Sequence, residues 1–188
     1  MKDLDWSSLS FGYRKTDYNV RCYYRNGQWG EIEVCSDEYI NMHMAATCLH
    51  YGQEAFEGLK AYRCPDGKVR VFRMDENAKR LQSTCRGILM PELPTELFEE
   101  MVRKVVTLNQ EWIPTYESGA TLYIRPLLVG TGAQVGVHPA NEYLFLIFVT
   151  PVGPYFKGGF YANPARCNTF FPTNIFSATF MTLYLPSL

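Results

Sequence analysis

The chain has 188 residues, a formal net charge of −1, 47% hydrophobic and 20% charged residues. That suffices for a folded domain with its own core and speaks against long disorder. It also speaks against a nucleic-acid or anionic-membrane surface, which would need a basic excess or stripe. The start, Met1-Lys2-Asp3-Leu4-Asp5-Trp6, has no apolar stretch of the signal-peptide kind. No run of about 18 apolar residues suggests a membrane span. Cys22, Cys35, Cys48, Cys64, Cys85 and Cys167 contain no Cys-x-x-Cys pair, so free thiols in a reducing cytoplasm are expected rather than disulfides. His43, His50 and His138 have no Cys or His partner at ligand spacing, and no metal site is expected.

Strand signals open the chain. Residues 20–25 and 28–34 flank Asn26-Gly27, a dipeptide that tolerates positive φ at both turn positions and predicts a hairpin. A second hairpin joins 59–63 to 69–73 across Pro65-Asp66-Gly67. Asp75 is placed to cap a helix carrying Ala78, Leu81, Cys85 and Ile88 on one face, with Gly87 as its stop. Thr95 is placed to cap the next, whose apolar stripe is Leu97, Met101, Val105, Leu108 and Trp112, with Pro114 ending it. Two apolar strands follow, over 121–129 and 143–149, the second reading as central and buried. Two prolines and three glycines within 151–159 read as a domain boundary. The expected architecture is a two-layer α/β (α+β) domain over residues 1–155, an antiparallel or mixed sheet with two main helices. A linker is expected at 156–165, then a poorly packed tail at 166–188 without a charged residue from Asn168 onward.

Four segments, in order, carry a resemblance: 49–62 (Leu-His-Tyr-Gly-Gln-Glu-Ala-Phe-Glu-Gly-Leu-Lys-Ala-Tyr), 75–81 (Asp-Glu-Asn-Ala-Lys-Arg-Leu), Leu122-Tyr123-Ile124-Arg125-Pro126 with Gly136-Val137, and 151–156 (Pro-Val-Gly-Pro-Tyr-Phe). Together they make residues 6–160 similar to the amino-terminal small domain of the branched-chain aminotransferases, class IV enzymes of fold type IV that depend on pyridoxal 5'-phosphate. The similarity stops near Ala165. The family there continues into a large domain with a Lys-Xaa-Gly-Gly-Asn-Tyr stretch that supplies the Schiff-base lysine. No such stretch is found, so no catalytic residue is assigned, and the chain is expected to be a truncated form, inactive alone, with 166–188 an aberrant or cut-short start of that domain.

The resemblance implies the remaining roles. Arg80 would hold the cofactor phosphate, for which a guanidinium offers a planar fork of charged donors. Tyr123 and Arg125, two apart on a strand and so on one face, would receive the side-chain carboxylate of glutamate. Phe11, Tyr51, Phe56, Val137 and Tyr155 would line an apolar pocket for leucine, isoleucine or valine; without the resemblance each would pass as ordinary core packing. Lys60 follows the Phe-Glu-Gly-Leu motif, where the family has a non-catalytic lysine, and is not assigned as the amine. The implied reaction of the complete enzyme is amino transfer between a branched-chain amino acid and 2-oxoglutarate, with amino acids and 2-oxo acids as small-molecule partners. A cytoplasmic homodimer is implied, with no nucleic-acid or membrane partner. Two other readings stay open: a relative such as a D-amino-acid transaminase or aminodeoxychorismate lyase, and a non-catalytic binding or dimerisation module.

Overall fold

The computed structural model describes Lys2 and residues 4–153; Tyr155, Cys167, the expected linker and the expected tail lie outside the described residues. Eight strands form one sheet in the order β2-β1-β8-β7-β5-β6, with β3 also on β1 and β4 also on β7, and every described pair is antiparallel. Its middle is β7 (Thr121–Gly130) against β8 (Tyr143–Val152), ten residues each. These are the two apolar runs of the sequence, and β8 is buried at every residue but Phe148. The expected boundary begins too early: Pro151 and Val152 belong to β8, opposite Leu122 and Thr121.

The hairpin forms at Asn26-Gly27, with φ of 52° and 81°. Its return does not run straight from Gln28 to Val34. It divides into β2 (Gln28–Trp29) and β3 (Glu33–Cys35), both on β1 (Asn19–Arg25). Between them the Gly30 N–H donates to the Tyr23 carbonyl at 2.8 Å and Ile32 turns inward against the core. The second hairpin, β5 (Leu59–Arg63) with β6 (Val69–Val71), forms as expected, and the short α1 (Thr47–Tyr51) leads into β4 (Glu54–Phe56).

Two helices cover one face of the sheet. In α2 (Met74–Gly87), Ala78, Leu81 and Cys85 are buried; in α3 (Thr95–Leu108), Phe98, Met101, Val102, Val105 and Val106 are. They meet Val20, Cys22, Leu122, Ile124, Leu128, Phe145 and Ile147 from the sheet. The caps differ from expectation. Helix α2 starts one residue before Asp75, which stands in its first turn and pairs with Lys79 at 3.1 Å, favourable beside the positive helix end. Gly87 is the last helical residue, and the left-handed position falls on Leu89 (φ 55°), where the Met90 N–H closes the turn onto the Cys85 carbonyl at 2.9 Å. Thr95 is the first helical residue after Pro94, and α3 ends at Leu108, before Pro114, because a 3-10 turn, Gln110–Trp112, takes over.

The five described cysteines are free. Burial pushes the Cys85 thiol up to about 12 from its usual 9. Asn109, fully buried, ties the end of α3 to the amino-terminal segment. Its Oδ1 accepts from the N–H groups of Asp17 and Tyr18, both at 3.1 Å, and its Nδ2 donates to the carbonyls of Tyr18 and Val105 at 3.0 and 2.8 Å.

Two outcomes follow from these groups. Asn109→Leu strands backbone donors of Asp17 and Tyr18, so a stability loss of about 2–4 kcal/mol is expected in urea unfolding; a loss under about 0.5 kcal/mol would mean water replaces the amide. For Cys85 the folded protein holds its proton more tightly than the unfolded chain does. The stability from that difference is therefore complete below about pH 9 and is lost as pH rises toward about 12. Unfolding profiles of wild type and Cys85→Ala should diverge in that window and run parallel below it.

Candidate functional site

The face of the sheet opposite the helices carries the chemistry. Pro126 sits inside β7, opposite Ile147 of β8, and has no N–H to give. On its other side β4 and β5 pair with β7 in one common register, broken only at Glu57 and Gly58. The Glu57 N–H still donates to the Pro126 carbonyl at 2.9 Å, but no return bond is possible. Strand alternation then sends neighbouring side chains to opposite faces. Phe56 goes to the open face, Glu57 to the helix side, and Gly58 leaves a space on the open face opposite Arg125.

Phe11, Phe56, Tyr123 and Arg125 come together there. Arg125 Nε donates to the Tyr123 hydroxyl at 2.9 Å, and the guanidinium lies 4.3 Å from the centroid of the Phe56 ring. The Phe11 ring meets Tyr123 edge-on at 5.4 Å. Gly58 makes the cluster possible, because a Cβ there would stand 2.9 Å from the Tyr123 hydroxyl oxygen. Phe11 is carried on the amino-terminal segment, which the Arg14 N–H fastens to Thr150 Oγ1 at 2.8 Å. Lys60, the cross-strand partner of Tyr123, lies on the same face and is half-buried.

Arg80 approaches the same gap from α2. Its Nε and Nη2 grip the two oxygens of Glu57 at 2.9 and 2.6 Å, and Asn77 Nδ2 adds 2.8 Å to the same carboxylate. The pair is lopsided: the Glu57 side chain is 4% exposed and that of Arg80 42%. The hydrogen bonds to Glu57 hold the Arg80 guanidinium above its usual pKa. Nε and one N–H of Nη2 are used, so both N–H groups of Nη1 stay available to a ligand. Arg80 and the aromatic cluster are linked through the backbone of Glu57-Gly58, not by direct contact.

Tyr51 and Val137 form a separate group. The Tyr51 hydroxyl donates to the Val135 carbonyl, which ties α1 to the 131–142 loop between β7 and β8, and Val137 is 88% exposed on that loop. Gln53 braces this end through the Gly130 and Ala140 N–H groups, both at 3.0 Å. Tyr155 lies outside the described residues. The sequence motifs contain Glu57 and Asn77 without giving them a role; an acidic residue next to a required glycine was the only available signal. Among the described residues no group of three or more His, Cys, Asp or Glu could hold a metal, and no helix is long and apolar enough to cross a membrane.

Comparison with known proteins bears on the fold and the family. No protein-family model matches the chain. The branched-chain-amino-acid aminotransferase of Haemophilus influenzae is 51% identical over 159 residues, 85% of this chain and 46% of that protein. Its namesake from Helicobacter pylori is 48% identical over 166 residues, 88% of this chain and 49% of that protein. The solved branched-chain amino acid aminotransferase of Escherichia coli superposes with a TM-score of 0.55 at 26% identity, over 75% of this chain and 41% of that one. The fold is thus that of the amino-terminal domain of the class IV, fold type IV aminotransferases. Within that class the chain is similar to the branched-chain-amino-acid aminotransferases, and it spans about half the length of the curated relatives it matches.

The space at Gly58 sets a paired test. Gly58→Ala should cost roughly 1–3 kcal/mol by forcing Tyr123 aside, and near-ultraviolet circular dichroism should register the moved ring. Gly87→Ala, with nothing within 4 Å of its added Cβ, should gain about 0.5–1 kcal/mol. Equal effects at the two positions would mean that the Tyr123 packing imposes no constraint.

Proposed function

We propose that this chain supplies the phosphate-holding and substrate-carboxylate side of a pyridoxal-phosphate site in a branched-chain aminotransferase. The observation that carries the reading is the meeting of Phe11, Phe56, Tyr123 and Arg125 on one face, in a chain 51% identical to the Haemophilus influenzae enzyme. The residues fit the cofactor. Arg80 keeps two N–H groups on Nη1 after Glu57 has fixed the plane of its fork, and a planar guanidinium suits phosphate oxygens. When bound, pyridoxal phosphate supplies the electron sink that amino transfer requires.

Arg125 and Tyr123 then take a substrate carboxylate. The Tyr123 hydroxyl accepts from Arg125 Nε and can donate its own proton, so the two present charge and a directed donor on one side. Phe56 behind Arg125 keeps water from that flank and strengthens the charge interaction. Phe11 and Phe56 offer branched aliphatic side chains an apolar wall. No lysine of this chain is assigned to the cofactor aldehyde, since the Lys-Xaa-Gly-Gly-Asn-Tyr stretch that supplies that amine in the family is not found in this sequence. The substrates are leucine, isoleucine or valine with 2-oxoglutarate. Exposed Met44, Leu49, Val135 and Val137 around Tyr51 support a homodimer in which this end meets a second subunit, and five free thiols support a cytoplasmic setting.

A chimera with residues 4–153 of this chain replacing the matching portion of the Haemophilus influenzae enzyme tests the reading. Arg80→Ala should weaken pyridoxal phosphate retention by about tenfold or more; unchanged affinity would remove Arg80 from the phosphate. Arg125→Ala should raise KM for glutamate more than for leucine, and equal losses would remove its carboxylate role. Activity toward D-alanine or aminodeoxychorismate in place of leucine would reassign the chain within the class.

A further inference from the structure

On the open face, next to Arg125, the strands β1, β8 and β7 with residues 36–40 and the amino-terminal segment line a cleft of about 230 Å³. Its apolar walls include Ile40, Leu127, Leu146 and Phe148, and its charged residues are Arg21 and Glu38. Arg21 is 9% exposed, yet among the described residues no acidic group pairs with it. Its Nε donates to Asn19 Oδ1 at 2.9 Å, and its Nη2 donates to the carbonyls of Asp37 and Tyr39 at 2.7 and 3.0 Å. Every one of these acceptors is neutral. Glu33, the cross-strand neighbour of Arg21 on β3, is exposed and makes no ion pair with it. Glu38 is already held by the Tyr13 hydroxyl at 2.6 Å and by Lys15 at 2.9 Å.

A buried charge held only by neutral oxygens is costly unless an ion completes it. The three bonds fix the guanidinium plane and leave both N–H groups of Nη1 without an acceptor among the described residues. We propose that this cleft binds a small monocarboxylate with a branched apolar tail, its carboxylate on Arg21 and its tail against Ile40, Leu127, Leu146 and Phe148. A dicarboxylate or a phosphate fits less well, because a second negative charge would face Glu38 and nothing polar would replace the water lost at the apolar walls. The site does not use Arg80, Tyr123 or Arg125, and it borders the proposed site at two walls: Phe148, the cross-strand neighbour of Arg125, and Leu127, the cross-strand neighbour of Phe56.

The test is titration of the 188-residue chain with isovalerate, followed by calorimetry and by the arginine Nε–H signals in nuclear magnetic resonance. A Kd on the order of 1 mM is expected for so small a ligand, with the Arg21 Nε–H shifting. Glutarate and isopentylamine should each bind at least about tenfold more weakly, a difference that reports the single charge and the carboxylate. Arg21→Gln and the cleft-filling Ile40→Trp should each lose binding by about tenfold or more, whereas Arg125→Gln should retain it. If Arg21→Gln does not fold, the wild-type Arg21 signal and Ile40→Trp decide. The proposal is overturned by no binding up to about 50 mM, by full binding in either folded cleft variant, or by loss in Arg125→Gln, which would put the probe at the other arginine.

Discussion

Pro126 is placed where a central strand ordinarily cannot hold a proline, and the site is arranged around the hydrogen bond it does not make. Within β7 its missing N–H falls on the side of β4 and β5, between two stretches that share one register. The two residues opposite the gap are released from full ladder pairing but not from strand alternation. Glu57 therefore points to the helix layer, where Arg80 and Asn77 meet it, while Gly58 presents an empty position beneath Tyr123. A residue with an N–H at 126 would permit a continuous β4–β5 strand, and nothing would then require an acidic residue and a glycine at its centre.

The amino-terminal segment is the second constraint. Residues 10–18 cross the open face with little regular structure, and specific polar bonds hold them there. Asn109 binds the Asp17–Tyr18 turn, Thr150 accepts the Arg14 N–H, and the Thr16 hydroxyl donates to the Val149 carbonyl at 3.0 Å. These bonds bring the Phe11 ring onto Tyr123 and the Tyr13 ring to 5.9 Å from Phe148. The same segment walls the Arg21 cleft, so one strap shapes both pockets on that face.

Much of this was legible in the sequence, and the parts that were not have identifiable causes. Asn26-Gly27, the apolar runs of β7 and β8 and the stripe of α2 depend on local chemistry, and they fell where local rules put them. The stripe of α3 is turned from the expected one: Met101 and Val105 are buried as expected, but Phe98, Val102 and Val106 take the buried face, while Leu97 and Leu108 are only partly covered and Trp112 lies beyond the helix. Helix starts did not: Arg73 in a left-handed conformation and Pro94 in an extended one begin α2 and α3 without a side-chain cap, so Asp75 and Thr95 moved inside the helices. Tyr123 and Arg125 were legible as a pair because two-residue spacing fixes a shared face. Their meeting with Phe11 and Phe56 was not, since it depends on a register set by Pro126. The Glu57–Arg80 fork joins residues 23 apart on different elements, a link that no periodicity carries. Tyr51 and Val137 share a motif order with the others yet stand at another end of the sheet, because the 131–142 loop takes Val137 away from β7.

Three arginines on this scaffold illustrate three ways a guanidinium can be oriented, from the exposed Arg80 to the buried Arg21, and the differences bear on what each can do. Arg80 has a carboxylate on one edge, so its charge is matched and its remaining edge is aimed without being forced to find an anion. Arg125 has a phenol and a ring face, which orient it while leaving its charge unmatched, as the proposed carboxylate-binding role requires. Arg21 is the most deeply buried of the three and has carbonyls and an amide alone. Neutral oxygens satisfy hydrogen bonds but not charge, and the imbalance grows as the surroundings become less polar. The group with the strongest unmet demand for an anion is therefore the one in the cleft, not either of those placed around Glu57 and Gly58.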